Sequence, residues 1–347
     1  MNARVEPVTL RLREPLRTAY GNVTERELLL LRIEDADGTV GWGEAAPLES
    51  YDGVSLQRCA SALAAHATVL NAAPPEAGGP HLLDACRDAD PLDQAIAAVD
   101  IALWDLAGRR EGRPIAELLT DAPLRSVTVN ATVGATDRAS AAAQAADAAR
   151  AGFRCVKLKV GVGDDAGRVA AVRSAVGPDV ALRLDANGAW SVEEAVTAIN
   201  SLAAAGLELV EEPVHGIDAV RALRERVAVR VAIDETVAEP GALAGAAADA
   251  VCLKVSRAGG ISGLLAQATL VRSTGADVYL ASTLDGPIGI AAALHCAAAL
   301  RVDIPCGLAT LTLFDGLADF GLRPVAGEIA LPPGAGLGVD GASLLAP

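Results

Sequence analysis

Aromatic residues and positive charge are both scarce in this sequence. Phe, Trp and Tyr make up only 3% of the 347 residues, and 29 Lys and Arg are outnumbered by 44 Asp and Glu, for a net charge of −15. An acidic chain leaves no basic surface for phosphates, which argues against nucleic-acid binding. Hydrophobic residues make up 52% of the chain, which is enough for a buried core and excludes a disordered or fibrous protein.

Paired cysteines, long apolar runs and a dinucleotide-binding glycine motif are also missing. The six cysteines are scattered without a Cys-x-x-Cys pair, which fits neither a zinc cluster nor a disulfide-stapled secreted domain. No run of about 18 uncharged apolar residues predicts a membrane-spanning helix, and the N-terminus lacks the basic and apolar stretches of a signal peptide. No Gly-x-Gly-x-x-Gly opens a helix after the first strand. We therefore expect a cytoplasmic protein with buried thiols that binds neither membrane nor nucleic acid.

The N-terminal third of the chain mixes β-patterned and helical segments. Two β-patterned runs, 27–33 and 39–44, flank an Asp-Gly dipeptide, which predicts a hairpin. Residues 55–72 and 92–119 are rich in Ala and Leu with helical periodicity, which predicts helices. Together these segments predict an α+β domain over residues 1–124.

From Val127 onward, short apolar runs alternate with Ala-rich helical stretches. The runs that we predict to be strands are 127–133, 155–160, 180–185, 208–212, 229–234, 250–255, 277–281 and 304–308. They are apolar on both faces, as strands of a parallel sheet covered by helices must be. Eight βα units in succession indicate a barrel rather than an open sheet. We expect the barrel domain to span 125–322 and a Gly- and Pro-rich tail to occupy 323–347.

An ionisable residue stands at the C-terminal end of each strand from the second to the sixth. Barrel enzymes build their active sites from these strand ends, and so many buried charges must compensate one another. Asp185, Glu211 and Asp234 come from three adjacent strands, so their carboxylates can converge on one point. Three hard oxygen ligands suit Mg²⁺, and the His and Cys that zinc prefers are absent from these strand ends.

Lysines flank the expected metal site on two sides. Lys157 and Lys159 alternate along one strand and so share a face, and Lys254 follows the sixth strand, roughly opposite them. Each motif alone has an ordinary structural explanation: Lys-x-Lys is usually a solvated strand edge, Asp-Ala-Asn a turn, and Glu-Glu-Pro a loop entrance. Their succession, one βα unit apart, favours a site with a cation between the lysines and a gap for substrate.

Taken in order, these motifs resemble those of the enolase superfamily, and within it the muconate-lactonising subgroup. Residues 17–21, 41–47 and 102–108 also look like parts of that subgroup, so the resemblance covers nearly the whole chain. It implies an α/β fold in which an N-terminal α+β capping domain covers a modified (β/α)7β TIM-type barrel. It also implies that the C-terminal tail folds back onto the cap.

The resemblance implies a reaction as well. A base removes a proton next to a carboxylate, and Mg²⁺, with Mn²⁺ as a substitute, stabilises the resulting enediolate. Lys159 corresponds to the base and Lys157 to its electrostatic neighbour. A free lysine is protonated at neutral pH, so we expect the crowding of cations to lower the pKa of one lysine toward neutrality. The residues expected to contact a small-molecule carboxylate substrate are Arg17, Tyr20, Asn187, Ser282, Asp285 and Gly307.

Activities within the subgroup differ after the eighth strand. Dipeptide epimerases resemble one another in an Asp-x-Asp there, which can hold a substrate ammonium, whereas this chain has Cys306-Gly-Leu-Ala-Thr310. That segment, with the following Leu-Thr-Leu-Phe314, is similar to that of actinobacterial o-succinylbenzoate synthases. The resemblance thus favours a lyase that converts a cyclohexadiene carboxylate to o-succinylbenzoate by syn-dehydration, in menaquinone biosynthesis. Lys159 would remove the proton and help the hydroxyl leave, while Lys254 presents a cation beside the ring.

Other activities stay open on the sequence alone. Racemisation of an N-acylamino acid, with Lys159 and Lys254 each serving one face, uses the same residues, and a muconate-type cycloisomerase or a dipeptide epimerase comes after it. Ser282-Thr-Leu-Asp285 departs from the Ser-x-x-Glu of many relatives, which leaves the role of Asp285 open. A Schiff-base aldolase would survive a chelator, and a silent binding barrel is a further alternative, which Mg²⁺-dependent thermal stability would test. A homo-oligomer is compatible with the sequence.

Overall fold

Three long strands at the N-terminus form an antiparallel sheet. The computed structural model describes residues 1–18, 21–74, 76–134, 136–245 and 247–345, and at 17–18 it describes the backbone alone. The strands are β1 (Asn2–Thr18), β2 (Gly21–Glu34) and β3 (Val40–Ala45), in that order. The predicted hairpin between β2 and β3 is confirmed. Gly38 donates its N–H to the Asp35 carbonyl at 3.0 Å, and its φ of 83° is a conformation that suits glycine.

Helices cover this sheet before the chain enters the barrel. They are α1 (Glu49–Asp52), α2 (Leu56–Ala72), α3 (Gly79–Ala89), α4 (Asp93–Glu111) and α5 (Ile115–Leu119). Gly41 and Gly43 of β3 face α4, and a Cβ at either position would overlap a backbone oxygen of that helix. The close approach lets Leu31, Ile33 and Val99 share a fully buried core within this part of the chain.

The helix predicted over 92–119 is divided into α4 and α5. Gly112 has a φ of 65° and ends α4, with its N–H directed back to the carbonyls of Arg109 and Gly108. Pro114 stands directly before α5 and has no N–H with which to continue a helix. The chain therefore changes direction before the barrel begins.

Seven of the described strands form one parallel sheet. After the cap, the strands are β4 (Ser126–Thr128), β5 (Ala131–Val133), β6 (Cys155–Lys159), β7 (Ala181–Asp185), β8 (Leu207–Glu211), β9 (Arg230–Ile233), β10 (Ala250–Leu253), β11 (Asp277–Leu280) and β12 (Glu328–Ala330). The sheet runs from β5 to β11 in chain order and curls into part of a barrel. Isolated bridges from Val129 to Cys306 and from Ala281 to Gly307 connect its two ends. The predicted α/β barrel fold with a separate antiparallel N-terminal cap is confirmed.

Two of the predicted strands are built differently from the expectation. The run 127–133 is divided, because β4 pairs antiparallel with β12 while β5 pairs parallel with β6. The run 304–308 is described throughout but contains no regular strand, and it pairs only through the bridges at Cys306 and Gly307. The Cys306 N–H donates to the Thr128 carbonyl at 2.8 Å and the Gly307 N–H to the Leu280 carbonyl at 2.7 Å. This short segment therefore joins both ends of the sheet without a regular strand.

Helices alternate with the strands around the barrel. They are α6 (Arg138–Arg150), α7 (Asp165–Val176), α8 (Val192–Leu202), α9 (Ile217–Arg224), α10 (Ile261–Ser273) and α11 (Pro287–Ala299). Short 3₁₀ turns occupy Ala203–Ala205, Glu235–Ala238, Ala309–Leu313 and Gly341–Leu344. Ser191 and Glu194 form a capping box that fixes the start of α8.

In the described part of the chain, no helix is both long and apolar enough to cross a membrane. All six cysteines are buried free thiols.

The C-terminal tail contacts both the start of the barrel and the cap. β12 pairs with β4 at the entrance to the barrel. Further on, Gly336 accepts a hydrogen bond from the Ile115 N–H at 2.9 Å, and the Leu337 N–H donates to Asp105 Oδ1 at 2.8 Å. These contacts support our proposal that a cap of residues 1–124, a barrel of 125–322 and a returning tail of 323–347 make up the chain.

Candidate active site

Charged side chains gather inside the barrel at the C-terminal ends of β6, β7 and β8. Lys157 Nζ lies 2.6 Å from Glu211 Oε1 and 2.8 Å from Asp185 Oδ2. Lys159 Nζ contacts the same Asp185 oxygen at 2.6 Å. Lys159, Asp185 and Glu211 stand at successive register positions of the parallel strands, so their side chains point to one face. Strand pairing thus brings together Lys159 and Glu211, which lie 52 positions apart in the sequence.

Asn187 joins this row from the turn that follows β7. Its side-chain oxygen accepts a hydrogen bond from Lys159 Nζ at 2.7 Å, and its amide nitrogen donates to Glu235 Oε1 at 2.9 Å. The residue has a φ of 45°, in the left-handed region that asparagine tolerates better than most residues. Asn187 and Asp185 therefore hold the Lys159 amine together.

Lys254 approaches from β10, on the other side of the site. It forms a close ion pair with Asp234, and its side chain is only 6% exposed. Tyr51 of α1 completes this group, because its hydroxyl donates to Asp234 Oδ1 at 2.9 Å and accepts from Lys254 Nζ at 2.9 Å. A residue of the cap thus belongs to the same buried cluster as two strand-end charges of the barrel.

Glu212 and Glu235, which follow Glu211 and Asp234, form hydrogen bonds with neighbouring groups of the protein. Glu212 accepts hydrogen bonds from the Asp234 N–H at 2.8 Å and from the Thr236 N–H at 3.1 Å. It therefore holds the turn that carries Asp234. Glu235 is engaged by Asn187, as described above. These partners indicate that Glu212 and Glu235 support the site through contacts with neighbouring residues.

The donor set suits a hard divalent cation. Within the described residues, the ligand atoms of Glu211, Asp234 and Cys252 all lie within 4.8 Å of one another and are buried. The thiol of Cys252 is a poor ligand for Mg²⁺, which takes oxygen. Asp185 is not in that group, since its oxygen is drawn to Lys157 and Lys159, but it shares Lys157 with Glu211. The three predicted carboxylates therefore border one space from three neighbouring strands.

The pKa of Lys157 is set by two opposing effects. Burial alone would lower it, but the negative charges of Asp185 and then Glu211 outweigh burial, and the pKa of Lys157 is raised well above its usual value. The pKa of Lys254 is raised for the same reason, through Asp234. The two carboxylates lie within 2.8 Å of the Lys157 amine, which is why they dominate its pKa. The expectation that crowding with Mg²⁺ lowers the pKa of one of the lysines stays a prediction.

A cavity of about 180 Å³ opens beside these side chains and is lined by both the cap and the barrel. Leu16 and Leu48 of the cap and Leu284 and Leu313 of the barrel form much of its apolar wall. Lys159 and Lys254 both line it, as do Lys157, Asp185 and Asp234. Among the described lining residues, these two aspartates are the only carboxylates. The described part of the cavity wall therefore offers cations and apolar surface, with no further acid.

Three of the six predicted substrate contacts line this cavity: Asn187, Ser282 and Gly307. The hydroxyls of Ser282 and Thr310 share a hydrogen bond at 2.8 Å. This bond links the residues that follow β11 to those that follow the segment 304–308. Thr310 also lines the cavity. Tyr20 lies outside the described residues, and the side chain of Arg17 is likewise not described.

Asp285 is not among the described residues that line the cavity, and it lies buried near both barrel and cap. It is fully buried and accepts hydrogen bonds from the N–H and hydroxyl of Thr283 at 3.2 and 2.7 Å. Its charged neighbours are Arg26 and Glu44 of the cap and Lys254 of the barrel, and burial followed by the charge of Asp285 raises the pKa of Glu44 to about 8. This placement differs from the substrate contact expected of Asp285 and indicates a role in joining the two units.

Sequence reasoning missed the part played by Tyr51 and Tyr279. Tyr279 of β11 donates its hydroxyl proton to Glu211 Oε2 at 2.7 Å and so orients a predicted metal ligand.

One feature of the composition does point to the site. Of the 29 basic residues only three are lysines, and all three lie here, at positions 157, 159 and 254, whereas arginine carries the remaining positive charge.

Comparisons with known proteins agree with this geometry. The sequence profile described as "Mandelate racemase / muconate lactonizing enzyme, N-terminal domain" matches residues 1–120, and that described as "Enolase C-terminal domain-like" matches 140–342. The chain is 32% identical to an L-Ala-D/L-Glu epimerase of Bacillus subtilis, over 97% of this chain and 96% of the relative. It is 34% identical to an o-succinylbenzoate synthase of Thermobifida fusca, over 91% and 84%.

Solved structures show the same similarity. A dipeptide epimerase from Enterococcus faecalis, in complex with Mg and the dipeptide L-Leu-L-Tyr, superposes with a TM-score of 0.90 at 27% identity, over 98% of this chain and 99% of that one. The substrate-liganded L-Ala-D/L-Glu epimerase of Bacillus subtilis superposes with a TM-score of 0.90 at 30% identity, over 98% of each chain.

Proposed function

The chain belongs to the enolase superfamily, as a member of its mandelate racemase and muconate-lactonizing enzyme family, and from that premise we propose that it is an o-succinylbenzoate synthase. It is a Mg²⁺-dependent enzyme of this superfamily, in agreement with the Mg in the similar dipeptide epimerase structure. The proposed reaction removes a proton and a hydroxyl from the same face of a cyclohexadiene carboxylate. One water leaves and the ring becomes aromatic.

The observation that carries this proposal is the charge of the cavity wall. A dipeptide brings a free ammonium group, which needs an anionic partner once it is buried. The described lining residues include only the carboxylates Asp185 and Asp234, which we assign to the metal. The segment after β11 supplies Gly307 and the hydroxyl of Thr310 to the wall. This wall suits a substrate without a positive charge.

The lysines provide the proton transfers. Lys159, held by Asp185 and Asn187 at 2.6 and 2.7 Å, removes the proton next to the substrate carboxylate. The same amine then returns that proton to the leaving hydroxyl, so that water departs and the lysine is restored. Lys254 stands across the cavity and presents a cation beside the ring. Lys157, between Asp185 and Glu211, adds a fixed positive charge at the carboxylate end.

The buried carboxylates would hold the metal ion. We assign Asp185, Glu211 and Asp234 to Mg²⁺, with Mn²⁺ as a substitute, on the basis of their shared space and oxygen chemistry. Bound there, the cation would supply the positive charge that stabilises negative charge developing on the substrate carboxylate. Its charge would also offset the acids that raise the pKa of Lys157.

Racemisation or epimerisation is the second candidate, and one observation favours it. Lys159 and Lys254 line the same cavity from β6 and from the end of β10, so each can serve one face of a substrate carbon. Dipeptide epimerases are also prominent among the relatives. An N-acylamino acid fits this wall better than a dipeptide, because acylation removes the ammonium charge. A muconate-type cycloisomerase would use the same residues.

A substrate panel tests the proposal. The purified protein with Mg²⁺ is assayed against the cyclohexadiene precursor, a set of N-acylamino acids and a set of dipeptides, with Lys159→Ala as the matched inactive control. We expect the highest kcat/KM for the cyclohexadiene, loss of activity with a chelator, and no turnover by Lys159→Ala. A higher kcat/KM for any dipeptide or N-acylamino acid would contradict the synthase assignment.

A further inference from the structure

Tyr51 is a cap residue with an unusual set of partners in the barrel. It lies on α1, yet its hydroxyl is hydrogen-bonded to three charged side chains that follow β9 and β10. It donates to Asp234 Oδ1 at 2.9 Å and accepts from Lys254 Nζ at 2.9 Å and from Arg257 Nη1 at 2.8 Å. A phenol has one proton to donate and two lone pairs that accept, so all three bonds can form at once.

The ring of Tyr51 contacts the same cations. Lys254 Nζ and Arg257 Cζ each lie 5.0 Å from the ring centroid, within the range of cation–π attraction. Lys254 is therefore held by the hydroxyl and the ring of Tyr51 and by the carboxylate of Asp234. With its side chain only 6% exposed, the amine has few alternative orientations.

The segment that carries Tyr51 is itself anchored within the cap. The neighbouring Asp52 accepts hydrogen bonds from the N–H groups of Leu48 and Val54 at 3.3 and 2.9 Å and from Gln94 Nε2 at 3.0 Å. Gln94 belongs to α4, a buried helix of the cap core. The position of the Tyr51 hydroxyl is thus set by the cap and transmitted to a lysine of the barrel.

We propose that Tyr51 is a positioning residue that orients the Lys254 ammonium group toward the substrate cavity. The proposal rests on the proposed function, in which Lys254 presents its charge to the substrate. A charged group held in one orientation contributes more to a transition state than one that must be reoriented at each turnover. The cap then contributes directly to the chemistry of the barrel as well as to the wall of the cavity.

The lysine content of the chain allows a spectroscopic test that needs no substrate. Because only three lysines are present, protein labelled with ¹³C at lysine Cε gives three side-chain signals, and Lys254→Arg identifies the one from Lys254. Tyr51→Leu removes ring and hydroxyl together and should shift the Lys254 signal while the signals of Lys157 and Lys159 stay in place. Tyr51→Phe keeps the ring and should give a smaller shift of the same signal.

Trp104→Phe is the matched control for this measurement. Trp104 is also a cap aromatic residue that donates a hydrogen bond to the barrel, from Nε1 to Ser262 Oγ at 2.9 Å, but it does not line the cavity. It should leave all three lysine signals unmoved. An unmoved Lys254 signal in Tyr51→Phe and in any folded Tyr51→Leu would overturn the proposal, and Tyr51→Phe keeps the test open if Tyr51→Leu does not fold.

A double-mutant cycle shows whether the orientation matters for catalysis. We expect Tyr51→Phe to lower kcat about tenfold, the effect of losing a hydrogen bond to a charged group, with a smaller change in KM. In the Lys254→Ala background the same substitution should have almost no further effect. Equal losses in both backgrounds would overturn the proposal. The cycle uses whichever carboxylate substrate the panel identifies, so failure of the synthase assignment is seen separately.

Discussion

Substitution of Lys254 distinguishes the proposed dehydration from racemisation. Racemisation requires Lys254 to donate or remove a proton on the face opposite Lys159, and an arginine does not give up its proton in a protein. The dehydration requires only a cation beside the ring, which arginine supplies. We therefore expect Lys254→Arg to keep measurable synthase activity and Lys254→Ala to lose most of it.

The size of the loss follows from the surroundings of Lys254. Its side chain is 6% exposed, and its Nζ lies 5.0 Å from the ring centroid of Tyr51, so it acts in a desolvated site. A desolvated cation beside a π system contributes about 2 kcal/mol, which corresponds to roughly thirtyfold in rate. In the metal-free protein, removing it also leaves the buried Asp234 carboxylate without its ion-pair partner, at a cost of about 3–5 kcal/mol in stability.

The assay must separate these two effects. Initial rates with the cyclohexadiene are measured for the wild type, Lys254→Arg, Lys254→Ala and Lys254→Met, at a temperature at which circular dichroism shows each variant folded. Methionine keeps the length of the side chain without its charge, so it should be as slow as alanine but more stable. Reactions in D₂O give a second readout, because racemisation introduces deuterium into recovered substrate of both configurations.

Two results would refute this reasoning. If Lys254→Arg is folded but as inactive as Lys254→Ala toward the cyclohexadiene, a cation-only role for Lys254 is wrong. If the wild type racemises N-acylamino acids faster than it dehydrates the cyclohexadiene, racemisation becomes the main activity and Lys254 an acid and base.

Three further predictions concern the metal and the ionisable core. Alanine in place of any of the three proposed metal ligands should abolish turnover and the Mg²⁺-dependent rise in Tm, whereas Glu235→Ala should lower turnover less. A near-normal rate in any one of the three ligand variants would refute the assignment. The ligands are Asp185, Glu211 and Asp234. Burial lowers the pKa of His295, whose Nδ1 accepts a hydrogen bond from the Ala116 N–H, to about 4. Since the pKa of an unfolded histidine is about 6.5, the free energy of unfolding should fall by at most about 3 kcal/mol as pH drops from 6.5 to 4. Urea unfolding across this pH range measures the fall, and His295→Gln should remove most of it. The pKa of Glu44 is about 8 in the folded protein and about 4.3 in the unfolded chain, so the folded state loses stability as pH rises between these values. Glu44→Gln should therefore be more stable than the wild type in urea unfolding at pH 8.5. Equal stabilities would contradict this.

The strand-end residues could be predicted because each one ends an apolar run. The strands β6 to β10 are short and mostly apolar, and the charged residues Lys159, Asp185 and Glu211 stand at the last position of their strands. That pattern is local, since it depends only on which neighbours are apolar. Parallel pairing then places such ends at one edge of the sheet, so the grouping follows from the pattern.

Contacts between the two units could not be predicted in this way. Tyr51 lies 203 positions from Lys254, and its tetrapeptide helix has no periodicity that points to the barrel. Asp285 follows β11 by a few residues, yet its surroundings include Arg26 of the cap as well as Thr283 and Lys254 of the barrel. The segment at Cys306 closes the barrel through two bridges rather than through a regular strand.

By itself, therefore, the sequence determined the order of elements, the barrel and the residues at its strand ends, because these depend on burial patterns among near neighbours. The tertiary structure alone decided which cap residues reach the site, which carboxylates pair with which lysines, and which residues surround Asp285. Those features depend on the docking of the cap and the tail onto the barrel, as in the contact of Tyr51 with Lys254 and of Leu337 with Asp105. Such contacts join residues that no local pattern connects.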